Sequence, residues 1–324
     1  MEFLYYKGEF MKEIFVLNRN VAMDNIIWGN VSGPTYCYLE ITRRCNCCCQ
    51  YCQVGDQVAK DIDIHLFRNI IDKLHLSNTF EIRLGGGEPL LCPNISSLLK
   101  YIYSKKMSVW ICTNGTLLTR TMCEMLLANH VVGVRISIDS LDHKIHNKVR
   151  GMHNCLELAL KGASIAKKTG LQVAICMTIG THNIDEVKQV KKYAHDNGYQ
   201  FYSHYIMPVG KGKTYLQNNS LPSNSIVQQL NDIYGEKNCV AVNQSISIDI
   251  DGYVSPCTFI KPIIHISNIK TKNILMDKSL QKYTYPVPEN HCFDCQFNST
   301  KRNHKCILSS ICKGGCWAIY EQDK

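Results

Sequence analysis

The chain has 324 residues, with 36 basic and 27 acidic side chains giving a net charge of +9. At 45% hydrophobic and 19% charged residues it can bury one large core and a smaller one. No apolar run approaches the roughly 20 residues of a membrane span, and residues 1–19 hold no export signal. No dense basic run with interleaved aromatics marks a nucleic-acid binder. The expected location is the cytoplasm. The excess of lysines reads as solvated faces, with an acidic peptide as the alternative partner.

In chain order, apolar and β-branched runs predict strands at 36–42, 80–84, 108–112, 131–138, 172–179 and 200–206. Amphipathic periodicity predicts helices near 62–75, 94–105, 119–128, 153–169 and 184–198. Six βα steps with crossovers of this length imply an α/β fold, a parallel sheet curled into a partial (β/α)6 TIM-like barrel. Past about residue 212 the rhythm changes: 217–225 reads as loop and 225–234 as helix. From Cys239 onward, short strands alternate with Cys, Pro and Gly. The expected organisation is an N-terminal extension (1–35), the barrel (36–212), a linker with a helix (213–238) and a small Cys-rich module (239–324).

Eighteen cysteines are too many for chance, and the chain is too large and core-rich for a disulfide scaffold, so metal or cluster ligation is expected. The densest group is Cys45-Asn46-Cys47-Cys48-Cys49-Gln50-Tyr51-Cys52, directly after the first strand. Within it, Cys45-x3-Cys49-x2-Cys52 places three thiolates on one short loop, enough for three irons of a four-iron cluster and leaving the fourth open. Zinc is the competing ligand, but it usually takes two separated pairs. Cys47 and Cys48 read as bystanders, though a Cys-rich run permits other triads. Cys37, Cys92, Cys123 and Cys155 read as core residues. Cys112 and Cys176 sit on strands where inward thiols could donate a hydrogen atom. His143, His146, His204 and His304 show no ligand spacing and read as surface or capping residues. Tyr202, Tyr205 and Met207 are candidates for a substrate mouth.

Further motifs end successive strands: Gly85-Gly86-Gly87-Glu88-Pro89 after the second, Thr113-Asn114-Gly115 after the third and Ser137-Ile138-Asp139-Ser140 after the fourth, followed by His146-x3-Arg150-Gly151. With the cysteine loop, this ordered set resembles the radical S-adenosylmethionine (SAM) enzymes. The resemblance implies a [4Fe–4S] cluster on Cys45, Cys49 and Cys52 whose open iron chelates SAM, cleaving it to a 5′-deoxyadenosyl radical that abstracts a substrate hydrogen. By the same resemblance Tyr51 lies near the adenine, and Gly86, Gly87 and Glu88 hold the SAM ammonium. Ser137 and Asp139 would face the ribose with Asn114 nearby, and Arg150 would pair with the SAM carboxylate.

Cys239-x12-Gly252-x4-Cys257, Cys292-x2-Cys295 and Cys306-x5-Cys312-x3-Cys316 are similar to the SPASM/twitch extension of peptide-modifying maturases, which carries one or two auxiliary [4Fe–4S] clusters. Ten residues separate Cys295 from Cys306 where the pattern usually has five, and the pattern's last cysteine is absent. One division of the seven thiolates is Cys239, Cys257 and Cys316 with an open iron, and Cys292, Cys295, Cys306 and Cys312 as a full set; a zinc ribbon on Cys292 and Cys295 is the alternative.

The implied function is maturation of a ribosomally made precursor peptide, by crosslinking (thioether or carbon–carbon) or by epimerisation. A flavodoxin- or ferredoxin-type reductant would supply the electron. About 35 residues before the first strand are too few for a winged-helix leader-binding domain, so a separate leader-binding protein, the barrel mouth, or no leader at all is expected. Small-molecule cofactor biosynthesis is an alternative. A sulfatase-maturase role is disfavoured because Thr258 stands where that group has an Asp base. A non-catalytic iron–sulfur carrier would need neither the open-iron triad nor Glu88 and Arg150.

Overall fold

A computed structural model describes residues 33–55, 58–219, 245–281 and 283. Six parallel strands form most of the sheet: β1 (Tyr36–Thr42), β2 (Glu81–Gly86), β3 (Ser108–Thr113), β4 (Gly133–Ser137), β5 (Gln172–Ile179) and β6 (Gln200–Tyr205). The connecting helices are α1 (Ile64–Leu76), α2 (Ile95–Ser104), α3 (Arg120–Ala128), α4 (His143–Arg150), α5 (Cys155–Thr169) and α6 (Val187–Asp196), and α7 (Lys211–Asn218) follows β6.

Local chemistry explains where these helices begin and end. Asp63 accepts from His65 N and Leu66 N at the start of α1, and Thr119 and Asp142 cap α3 and α4 in the same way. Gly151 and Gly170 close α4 and α5 in the left-handed conformation that L side chains avoid. Helices α1, α2, α3, α5 and α6 turn an apolar face to the main core. On α1 that face is Phe67, Ile70, Ile71 and Leu74, all fully buried, each contributing about 1.5–3 kcal/mol of transfer free energy.

The strand order is β6-β5-β4-β3-β2-β1-β7-β8-β9. β7 (Ser245–Ile248) lies parallel to β1, in register from Tyr36 opposite Ser245 to Leu39 opposite Ile248, and β8 (Tyr253–Ser255) and β9 (Ile264–His265) continue antiparallel. The expected Cys-rich module therefore starts inside the barrel's own sheet. The reason is edge chemistry: without β7, the backbone groups along one side of β1 would have no ladder partner. The sheet also curls. Phe259, just past β8, packs with its ring tilted against His204 of β6, the strand at the far edge, at 5.8 Å between centroids.

Three local expectations differ. α4 lies where the sequence reading placed only a motif. α7 runs through Gln217 and Asn218, which read as the start of a loop. His146, expected at the surface, is fully buried. The predicted helix at 225–234 lies outside the described residues.

Candidate active site

Residues 43–52 leave β1 at the C-terminal end of the parallel strands, and three other elements hold them by backbone hydrogen bonds. Gly87 N and Glu88 N, past β2, donate to Thr42 O and Arg44 O, each at 2.7 Å. Cys48 N and Gln50 N donate to Arg150 O (3.0 Å) and Val149 O (2.9 Å) at the end of α4. Lys211 N, opening α7, donates to Cys52 O at 2.9 Å. A glycine sits at each crossing. A Cβ on Gly87 would stand 2.2 Å from Arg44 O, on Gly151 2.4 Å from Cys48 O and on Gly210 2.5 Å from Cys52 O. Only a hydrogen fits at these points. Gly86 does the same at the preceding position, with φ +115° and its N–H donating to Tyr38 Oη at 2.8 Å.

This clamp presents Cys45 exposed and Cys49 and Cys52 half-buried. Among the described residues no three His, Cys, Asp or Glu side chains converge on one ion position. A zinc site requires that convergence, whereas a four-iron cluster does not, since each thiolate takes a different iron. Three accessible thiols on a backbone-clamped loop fit such a cluster. Cys47 turns aside: its sulfur lies 3.6 Å from Met152 Sδ and 3.9 Å from Cys155 Sγ. The Cys48 sulfur lies 3.7 Å from Lys211 Nζ.

A buried ion pair underpins the loop. Arg150 forms an ion pair with the fully buried Asp139: Nη2 donates to Oδ1 at 2.8 Å, and Nε stands 2.7 Å from Oδ2 without hydrogen-bond geometry. Thr178 N also donates to Oδ1 (2.9 Å), and the Tyr51 hydroxyl donates to Oδ2. Burial alone would raise the Asp139 pKa, but the adjacent Arg150 guanidinium holds it below the usual carboxylate range. His146 Nδ1 accepts from Asp139 N (3.2 Å), and burial lowers its pKa to about 4, so the ring is neutral.

Asp139, expected to face a ribose, sits within this buried network. A buried carboxylate must be compensated, and both its oxygens are engaged from within the protein. Arg150 likewise spends its Nε and Nη2 on Asp139, leaving Nη1 beside Cys49 Sγ at 3.8 Å. The Tyr51 ring packs 5.6 Å from that guanidinium and 6.1 Å from His182.

Glu88 is also fully buried. Its Oε1 accepts from Leu90 N (3.1 Å) and the Thr113 hydroxyl (2.7 Å), and its Oε2 from Asn114 N (2.7 Å). Burial outweighs these bonds and raises its pKa to about 7. Asn114 Nδ2 donates to Asn46 Oδ1 at 2.7 Å, joining the cysteine loop to the end of β3.

Beneath this ledge, alternate residues of each strand face the lumen. Val134 and Ile136 of β4 belong to the helix-side core, so Arg135 and Ser137 point inward, both half-buried. Cys112 and Cys176 are half-buried on the neighbouring strands. Burial raises the Cys112 thiol to about 11, which keeps it protonated at neutral pH. Ser137 Oγ makes no hydrogen bond among the described residues. By contrast Cys37, Cys92, Cys123 and Cys155 are buried, as expected of core thiols.

Sequence reasoning missed His146, Thr178, His182 and Tyr215, whose hydroxyl meets His182 Nδ1 at 2.7 Å. Only His146 had a findable signal, its i,i+4 spacing to Arg150 behind an Asp142 cap. Of the auxiliary-cluster cysteines, Cys257 follows β8, half-buried, with Sγ accepting from Phe259 N at 3.4 Å. Cys239, Cys292, Cys295, Cys306, Cys312 and Cys316 lie outside the described residues, as does His304.

With this geometry in hand, a family model described as the radical SAM superfamily matches residues 39–194. The chain is a radical SAM enzyme. Residues 239–296 match the SPASM iron–sulfur cluster-binding domain, so [4Fe–4S] clusters and SAM are its cofactors. The antilisterial bacteriocin subtilosin biosynthesis protein AlbA of Bacillus subtilis (strain 168) is 24% identical, over 88% of this chain and 67% of its own length. The AdoMet-dependent heme synthase of Methanosarcina barkeri (strain Fusaro / DSM 804) is 27% identical over 56% of this chain and 53% of its own length. The chain thus spans about half the length of that second relative. The structure of Streptococcus suis SuiB bound to the precursor peptide SuiA superposes with a TM-score of 0.63 at 15% identity, over 93% of this chain and 76% of that one. This likeness shows the fold. Among the described residues no helix is long and apolar enough to cross a membrane.

Proposed function

We propose that this radical SAM enzyme modifies a residue of a ribosomally made peptide, starting with abstraction of a hydrogen atom from carbon. The observation that carries the reading is the lumen. A TIM-type barrel normally fills its interior with branched aliphatic layers, but here half-buried Tyr38, Arg83, Cys112, Arg135, Ser137 and Cys176 line it. A polar, partly accessible interior under the cysteine loop is a chamber for substrate. The alignment with the subtilosin biosynthesis protein extends over 88% of the chain, whereas that with the haem synthase covers 56%, which supports a peptide over a porphyrin.

In this reading Cys45, Cys49 and Cys52 hold the SAM cluster. Gly86, Gly87, Glu88, Asn114 and Ser137 border SAM, and the Arg150 Nη1 edge faces the site beside Cys49. When bound, cluster and SAM together supply a 5′-deoxyadenosyl radical. The chain's own contribution is orientation: the glycine clamp fixes the loop and the Asp139–Arg150 pair fixes α4 beneath it. Cys112, protonated at neutral pH, or Cys176 donates a hydrogen atom if the product is an epimer. A flavodoxin- or ferredoxin-type protein is the electron donor, and leader recognition falls to a separate protein or to the barrel mouth.

The test is anaerobic co-expression with short peptides encoded beside the gene, weighed in light and heavy water. Loss of two hydrogens indicates a crosslink, and uptake of one deuteron with otherwise unchanged mass indicates epimerisation. Unchanged mass and no deuterium for every adjacent peptide would sink the peptide reading. Cys45→Ala should abolish formation of 5′-deoxyadenosine from SAM under strong reductant.

A further inference from the structure

One lumen side chain has no role in the site described so far. Arg135 projects inward from the middle of β4, one inward-facing position below Ser137 and so about 7 Å beneath the ledge of strand ends. Its guanidinium lies over the Tyr202 ring at 4.2 Å, and Tyr202 is itself fixed by donating its hydroxyl to Gln200 Oε1 at 2.7 Å. Across the strand register, Cys112 lies opposite Arg135 on β3 and Ala174 on β5. Below, Trp110, Val132 and Ala174 form a buried apolar floor.

Arg83, the other lumen arginine, shows what satisfaction looks like here. It is salt-bridged to Glu81 at 2.5 Å and stacks on Tyr36 at 3.5 Å. Arg135 has an aromatic platform and lies within the field of the Glu81 carboxylate, but among the described residues it makes no salt-bridge contact and no hydrogen bond. A half-buried guanidinium on an apolar floor gives up hydration that one ring face does not replace. Its planar fork of donors matches a carboxylate in particular.

We infer that Arg135 is the anchor for a carboxylate on the substrate, an acidic side chain or C-terminus of the peptide, held in the lumen between Cys112 and Tyr202. This rests on the peptide-modifying reading and narrows it to substrates with an anion close to the modified residue. Arg135 is in this sense a specificity-determining residue. It positions substrate and takes no part in bond breaking.

The experiment uses cluster-loaded full-length protein, saturated with SAM and without reductant so that no turnover occurs. Three pentapeptides carrying an N-terminal dye are titrated by anisotropy. One has a central Glu in an alanine background and an amidated C-terminus, the second has Gln in its place, and the third is all alanine with a free C-terminal carboxylate. The expected result is that one of the two acidic probes binds at least about tenfold tighter than the Gln probe, and which one does so identifies the source of the carboxylate. Arg135→Gln should reduce that ratio to within about twofold at unchanged iron content, and Arg135→Lys should keep some of it.

Equal binding of all three peptides by the wild type overturns the proposal without reference to any variant. So does an Arg135→Gln protein that keeps the preference. A preference seen only when SAM is left out would mean that SAM's own carboxylate occupies the guanidinium, which also overturns it. If a dye-labelled single Glu residue binds as tightly as the pentapeptide and depends equally on Arg135, the anion site stands and the peptide reading falls.

Discussion

At the scale of single residues, the site is supported by charges that never reach solvent. Replacing Asp139 with Ala would leave Arg150 buried without its carboxylate, a change that typically costs about 3–5 kcal/mol. We expect a loss of that order in the unfolding free energy of the cluster-free protein measured by denaturant titration, with Cys48 and Gln50 becoming fast-exchanging because their carbonyl partners move with α4. Glu88 predicts a pH signature. Its folded pKa of about 7 lies above the ordinary carboxylate value, so the folded state keeps a proton that the unfolded chain releases. The contribution of Glu88 is therefore fully present below about pH 4.5 and is lost as pH rises to about 7. Relative to Glu88→Gln, the wild type should lose on the order of 3 kcal/mol across that window. A flat difference between pH 4.5 and 7 would show that Glu88 is ionised in the folded protein.

At the scale of elements, the informative unit is a loop pressed between glycines. The cysteine loop has little internal structure, and its shape is set by the ends of β2 and α4 and by the start of α7. Gly87→Ala places a methyl 2.2 Å from a backbone carbonyl that cannot rotate away, so the loop must shift. We expect iron bound after reconstitution to fall by more than half, together with the visible absorption of the cluster, while the far-ultraviolet circular dichroism of the barrel stays unchanged. The extended turn of the β7–β8 hairpin reaches the same loop, through Asp251 to Arg43 at 3.4 Å and to Lys60. The region that carries Cys257 is thereby joined to the residues flanking Cys45.

At the scale of the whole molecule, β7 turns an apparently bipartite chain into one sheet. A protein cut after residue 219 would lose the partner of β1 and expose the edge of a central strand whose Cys37, Leu39 and Ile41 are fully buried. Such a chain should aggregate, whereas the full-length chain elutes as a discrete species on size exclusion. A soluble, cooperatively melting fragment would mean that the six parallel strands suffice.

The sequence by itself determined the parallel α/β rhythm, because the 2- and 3.6-residue apolar periods of buried strands and helices are local properties. Strands 36–42 and 172–179 were legible to the residue. It also displayed the Cys45-x3-Cys49-x2-Cys52 spacing and determined the strand-end glycines, since close backbone approach requires a residue without a side chain at those positions. Helix α4 escaped because it is short and polar overall, and its buried face carries His146 and Arg150 beside Val149 rather than an apolar stripe. The tertiary structure alone decided which ionisable groups are buried together: Asp139, Arg150, Tyr51 and His146 are separated by up to 99 positions (51 to 150), and only His146 and Arg150 share a helical spacing. It alone decided that β7 joins β1, because strand pairing depends on which edge is open. It also decided that Glu81 contacts Arg83 directly, while Arg135 is in direct contact with the Tyr202 ring and with no carboxylate among the described residues.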